Sequence, residues 1–223
     1  MDISQRRSVR LTVDGKPLEG TLTVPRQPSD LVLFATGTAG AHLASLETKM
    51  VDHLHQLGLA TLVVDLISPE EATERSNRLN IELLTSRLAI QFDWAANHVA
   101  TADLGTILCG VGTGAAAAVN YLTSARREVG ALTLLNGRVD LASVDFAGID
   151  IPSFFFVDNS SAHLTECNRE AYRALGVDHE HKHYLHAVSE DAVSVVARWL
   201  NSQVSSGTSH ARALSRRDSR HGV

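Results

Sequence analysis

Hydrophobic and polar positions follow two rhythms along this chain. Near the start, Ser8 to Val13 (SVRLTV) and Gly20 to Val24 (GTLTV) flank Asp14-Gly15, the pattern of two strands joined by a tight turn. From Leu31 onward the apolar residues come in short unbroken runs: Leu31 to Ala35, Ala60 to Leu66, Thr106 to Cys109, Ala131 to Leu135 and Ser153 to Val157. Alternate side chains of a strand point to opposite faces, so an unbroken run implies a strand covered on both sides. Between the runs the spacing turns helical. Ile81, Leu84, Leu88 and Phe92 share one helical face, as do Val193, Val196 and Leu200.

Strand and helix in alternation predict an α/β fold: a mostly parallel central sheet, an N-terminal antiparallel hairpin, and helices on both faces. A single domain over residues 1–201 is expected, because 223 residues with 44% hydrophobic content fill one core. Ser202 to Val223 offers Ser, Arg and His with few large apolar side chains, and Arg212, Arg216, Arg217 and Arg220 stand against Asp218. It reads as a disordered basic tail, either a docking arm or a plain solvated end.

The formal net charge is −5, and no Lys/Arg cluster occurs in the body, which argues against a dedicated nucleic-acid binder. Met1 to Arg7 lacks the apolar stretch of a signal peptide, and no run is long enough to span a bilayer. A cytoplasmic location with no membrane partner is therefore expected. Two cysteines, Cys109 and Cys167, make neither a disulfide framework nor a four-thiolate zinc site, and fit a reduced compartment.

In such sheets the working site lies beyond the carboxyl ends of the strands. That rule selects the loops Thr36 to Gly40, Ile67 to Glu71, Gly110 to Gly114, Asn136 to Asp140 and Asp158 to His163. The most informative is Gly110-Val111-Gly112-Thr113-Gly114-Ala115, where a strand runs through small residues into a helix. Gly110 and Gly114 permit a tight crossing, and Gly112 suits the strained position between them. Formally the segment also matches a dinucleotide fingerprint. However, it comes halfway along the chain, and about 20 residues further on stands Leu134-Leu135-Asn136 instead of a ribose-binding carboxylate.

Five segments carry a family resemblance: Phe34-Ala35-Thr36-Gly37-Thr38-Ala39-Gly40, Asp65-Leu66-Ile67-Ser68-Pro69-Glu70-Glu71, Gly110 to Ala117, Gly137-Arg138-Val139-Asp140-Leu141-Ala142 and Asn168-Arg169-Glu170-Ala171. In this order, over roughly residues 8 to 201, they resemble the dienelactone hydrolase-like small bacterial branch of the α/β-hydrolases. The resemblance implies the α/β-hydrolase fold. It also sets the family's Ser or Cys nucleophile at Gly112, and its acid near Ser160 or Ser161, with Asp158 close by. The family's histidine loop is shortened here, leaving His186, and Thr36 stands where the oxyanion loop carries histidine.

The expectation is a degenerate hydrolase domain whose cleft binds a partner or a small molecule with a carbonyl or anionic group. Thr36, Gly37, Thr38, Gly112, Thr113, Gly114 and Arg138 are its candidate ligand contacts, helped by N–H groups at the helix start. The alternative is an atypical enzyme using His186, Asp158 or His163 as acid and base for activated-water ester or lactone hydrolysis, lyase or isomerase chemistry. Thr113 and Cys109 are poorly placed as substitute nucleophiles. No cofactor or metal is expected: within the cluster His179, His181, His183 and His186, three side chains at i, i+2 and i+4 of one strand would already spread over ~13 Å, too far for one ion without a bend. Pro69-Glu70-Glu71 reads as a capped helix start or a pocket wall, and Arg138 either meets a ligand carboxylate or pairs with Asp140. Homodimer pairing through an edge strand or an outer helix fits a purely structural role.

Overall fold

The computed structural model describes residues 3–13, 15–37, 41–124, 128–158, 161–186 and 193–203. Eight strands form one sheet in the order β1-β2-β4-β3-β5-β6-β7-β8. They are β1 (Ile3–Val13), β2 (Lys16–Pro25), β3 (Asp30–Thr36), β4 (Ala60–Asp65), β5 (Gly105–Val111), β6 (Ala131–Leu135), β7 (Ser153–Val157) and β8 (Lys182–His186). β1 and β2 form the expected antiparallel hairpin, turning at Gly15 with φ +75°. β2 joins β4 antiparallel, and every later pairing is parallel.

The helices are α1 (Ala41–Gln56), the short α2 (Arg75–Arg78), α3 (Ile81–Asn97), α4 (Thr113–Ser124), α5 (Ala162–Ala174) and α6 over 193–203. Two apolar cores lie on the two faces of the sheet. Leu31, Leu33 and Ala35 of β3 point into one, with Leu84, Leu88 and Phe92 of α3 and the Ala115 to Ala118 run of α4. Val32 and Phe34 point into the other, with Met50 and Leu54 of α1 and Val193, Val196 and Leu200 of α6. Two-sided burial is thus the physical reason for the unbroken apolar runs. The last helix continues through Ser202 and Gln203, past the expected domain end at residue 201, and the rest of the basic tail lies outside the described residues.

The fold also contains buried polar groups among the apolar stripes. Arg87 of α3, on the same helix as Leu84 and Leu88, donates to Leu66 O (2.8 Å) and makes two bonds to the Glu71 carboxylate (2.7 and 2.8 Å). Glu71 in turn accepts from Ser68 N–H while its own N–H donates to Ser68 Oγ, a reciprocal pair of the capping-box type. The acidic segment after β4 is therefore a structural clamp, and its Glu71 carboxylate points toward α3.

Candidate active site at the β5–α4 elbow

β5 ends at Val111 and α4 begins at Thr113, so Gly112 alone makes the turn, with φ +57°. Few residues other than glycine take that conformation without cost. It is held by three backbone bonds: Gly112 N–H donates to Leu135 O (3.2 Å), and its carbonyl accepts from Arg138 N–H (2.9 Å) and Ala115 N–H (3.2 Å). Helix α4 then packs against the end of β3, so closely that a Cβ on Gly114 would strike the Ala35 carbonyl. Gly37, just past β3, lies against the Thr113 side chain. Thr113 is 8% exposed, and its Oγ1 is buried with no hydrogen-bond partner among the described residues. The open N–H groups at the start of α4 bring roughly half a positive charge to this spot.

The neighbouring strand ends are stitched together by side chains. Asn136, directly after β6, has φ +47°, a conformation tolerated by Asn better than by most residues. Its amide donates to the Asp158 carboxylate (2.9 Å), and its side-chain oxygen accepts from Asp158 N–H (2.8 Å). Asn168 of α5, fully buried, donates to Gly137 O (2.7 Å) and ties α5 to the same loop.

The predicted site residues divide into several groups. Gly37, Gly112, Thr113 and Gly114 converge on the elbow. Thr36 is buried at the end of β3, but its hydroxyl donates to Asp65 (3.0 Å) and Val64 O (3.3 Å), toward β4. Arg138 forms a two-bond ion pair with Asp140 (2.9 and 2.8 Å), so of its two readings the mutual pair is the one observed. That pairing, with a further bond from His163 (3.2 Å), holds the Asp140 carboxyl down at about 2. His186, at the end of edge strand β8, meets Thr165 Oγ1 (3.4 Å). Asp158, His163 and His186 therefore contact three different partners: Asn136, Asp140 and Thr165. Thr38 and Ser160 lie outside the described residues.

Ser161 is the N-cap of α5, accepting from Leu164 N–H. The histidine-rich segment does not run as one strand: His179 and His181 sit in a 3-10 turn, while His183 stacks on Phe154 and meets Trp199 edge-on. The roles of two residues escaped the sequence reading. Arg87 hides in an apolar stripe, and Asn168 signals its role only once α5 is docked.

Comparisons agree with this geometry. A dienelactone hydrolase from Anabaena variabilis superimposes with a TM-score of 0.75 and 26% identity, covering 89% of this chain and 96% of that one. The chain has a dienelactone hydrolase-like α/β-hydrolase fold. Est1E from Butyrivibrio proteoclasticus (TM-score 0.69, 12% identity, 89% of this chain and 99% of that one) shares the fold. So does a cold-adapted esterase from an Arctic intertidal metagenomic library (0.66, 15%, 90% and 94%). In sequence, proteins from two strains of Mycobacterium tuberculosis, provisionally named phosphoribosyl transferases, are 34% identical over 167 residues, or 75% of this chain. The match spans 38% of the length of these relatives. No family model matches the chain. Among the described residues, no helix is long and apolar enough to cross a membrane.

Proposed function

We propose that this dienelactone hydrolase-like domain binds a small ligand bearing a carbonyl or anionic group at the start of α4, without attacking it covalently. The observation that carries the reading is Gly112. It occupies a positive-φ turn between β5 and α4, locked by three backbone bonds, at the position where a nucleophile elbow presents its side chain. Covalent acyl transfer needs an oxygen or sulfur nucleophile there, and glycine supplies none. The N–H groups of the helix start and the unpartnered Thr113 hydroxyl remain as donors for a ligand oxygen.

Water-mediated catalysis by His186, Asp158 or His163 has less support, because each is bonded to a different neighbour. Phosphoribosyl transfer, named for the mycobacterial relatives, is not carried over, because the match makes up 38% of those proteins.

Intact-mass analysis after exposure to a fluorophosphonate tests the proposal. Wild type should remain unlabelled. An adduct on the wild-type protein would refute the reading.

A further inference from the structure

Helix α5 places His163 and Cys167 four residues apart, hence on one face, and that face looks toward the 3-10 turn Val139–Leu141 that follows β6. Asp140 comes up from this turn to meet them. His163 Nε2 lies 3.2 Å from Asp140 Oδ2, Cys167 Sγ lies 3.9 Å from Asp140 Oδ1, and one donor atom from each residue falls within 4.8 Å of the other two. We propose that Asp140, His163 and Cys167 form a binding site for a zinc-type divalent cation, with the fourth position open to water. The inference is separate from the ligand reading at the elbow, since it uses none of the elbow's donors.

Three features favour a shared ion over a nucleophilic relay. In a Cys-His-Asp relay the imidazole stands between its partners and uses one ring nitrogen for each. Here the imidazole nitrogen, the thiol and a carboxylate oxygen converge on one small volume. Donor atoms around a tetrahedral zinc ion lie ~3.3–3.6 Å apart, given bond lengths of about 2.0–2.3 Å, so the observed spacing needs only small rotamer changes. The donor set is a thiol, an imidazole and a carboxylate, and three protein ligands with an open position are typical of zinc sites that keep a bound water.

The framework around the donors is already ordered. Arg138 grips the Asp140 carboxylate from outside through Nε and Nη2 (2.9 and 2.8 Å), as hydrogen-bonded supports orient ligating carboxylates elsewhere. Asn168, next to Cys167 and fully buried, bonds both Gly137 O (2.7 Å) and Leu164 O (2.8 Å), fixing α5 against the loop that carries Asp140. The site is accessible: the His163 side chain is 65% exposed. Arg138 brings a positive charge that opposes a cation, so moderate affinity is expected.

The test is titration of the full chain with cobalt(II), followed by zinc competition, in wild type and in His163→Ala, Cys167→Ser and Asp140→Asn. Wild type should bind one equivalent showing thiolate-to-cobalt charge transfer and the intense visible bands of four-coordinate cobalt. Cys167→Ser should lose the charge transfer, and each substitution should weaken binding about tenfold or more. Because His163 is exposed, its alanine variant keeps the fold and remains decisive if another variant does not. Cobalt bound without charge transfer, or equally well by His163→Ala, would assign the metal to other histidines and overturn the proposal. No binding at a tenfold excess of cobalt would overturn it as well.

Discussion

Asp30 opens β3 opposite Gly105 of β5, where a Cβ on residue 105 would collide with its carboxylate. The residue is 8% exposed, and its Oδ2 has no hydrogen-bond partner among the described residues. Burial pushes its pKa up from 3.8 to about 6. Each tenfold change in proton affinity is worth about 1.4 kcal/mol, so ionising Asp30 costs about 3 kcal/mol more in the folded than in the unfolded protein. The native state holds the proton more tightly, so stability falls as pH rises between the unfolded and folded pKa values and stays reduced above both. Asp30→Asn keeps the shape and removes the titration. The amide brings N–H groups of its own, so the diagnostic quantity is the pH dependence of the difference between the two proteins. Urea unfolding from about pH 8 down to about pH 4.5 should reduce the variant's relative advantage by about 2 kcal/mol. Parallel stability curves would refute the reasoning, because they would mean that Asp30 titrates as an exposed carboxylate does.

Two further perturbations follow from the buried polar contacts. Glu71→Gln strips the charge partner from Arg87, whose side chain is 2% exposed, and should cost about 3–5 kcal/mol in urea unfolding near neutrality. Arg87 holds the Glu71 carboxyl well below the usual range, so its contribution is present above the ordinary glutamate pKa and is lost as pH falls toward the depressed one; the variant should lack that acid-side decline. Asn136→Ala removes both bonds to Asp158 and puts a less tolerant residue at φ +47°, for a loss of about 2–4 kcal/mol measured by thermal melts.

The parts of the fold that were legible in the sequence are those where a single residue type decides the outcome. Unbroken apolar runs are legible because both faces of β3 to β7 are covered, and the Gly110 to Gly114 segment is legible because close strand-to-helix packing leaves no room for a side chain. The start of β1 is less so: Gln5, Arg6 and Arg7 are exposed and carry no apolar signal, yet they pair with β2 up to Val24. Arg87 is illegible for the opposite reason, since its partner Glu71 opens a 3-10 turn sixteen positions earlier and nothing local marks the pair. The histidines misled because their even spacing suggested one strand, whereas the chain turns at His179–His181 before β8 begins.

The elbow's shape does not depend on a reactive side chain. Gly112 is held through its own N–H and carbonyl by Leu135, Arg138 and Ala115, so the turn is set by how β5, β6 and α4 meet. The stitching continues outward, since Asn136 fastens β6 to Asp158 after β7, and Asn168 fastens the β6 loop to α5. A framework of this kind keeps the turn at the helix start in place whether or not residue 112 can attack a substrate, because removing a nucleophile's side chain breaks none of these bonds. The same bonds hold the loop carrying Asp140 against the helix carrying His163 and Cys167. The region beyond the strand ends is thus ordered in two places, at the elbow by backbone donors and on α5 by side-chain donors, and substitutions on the exposed face of α5 can separate one from the other.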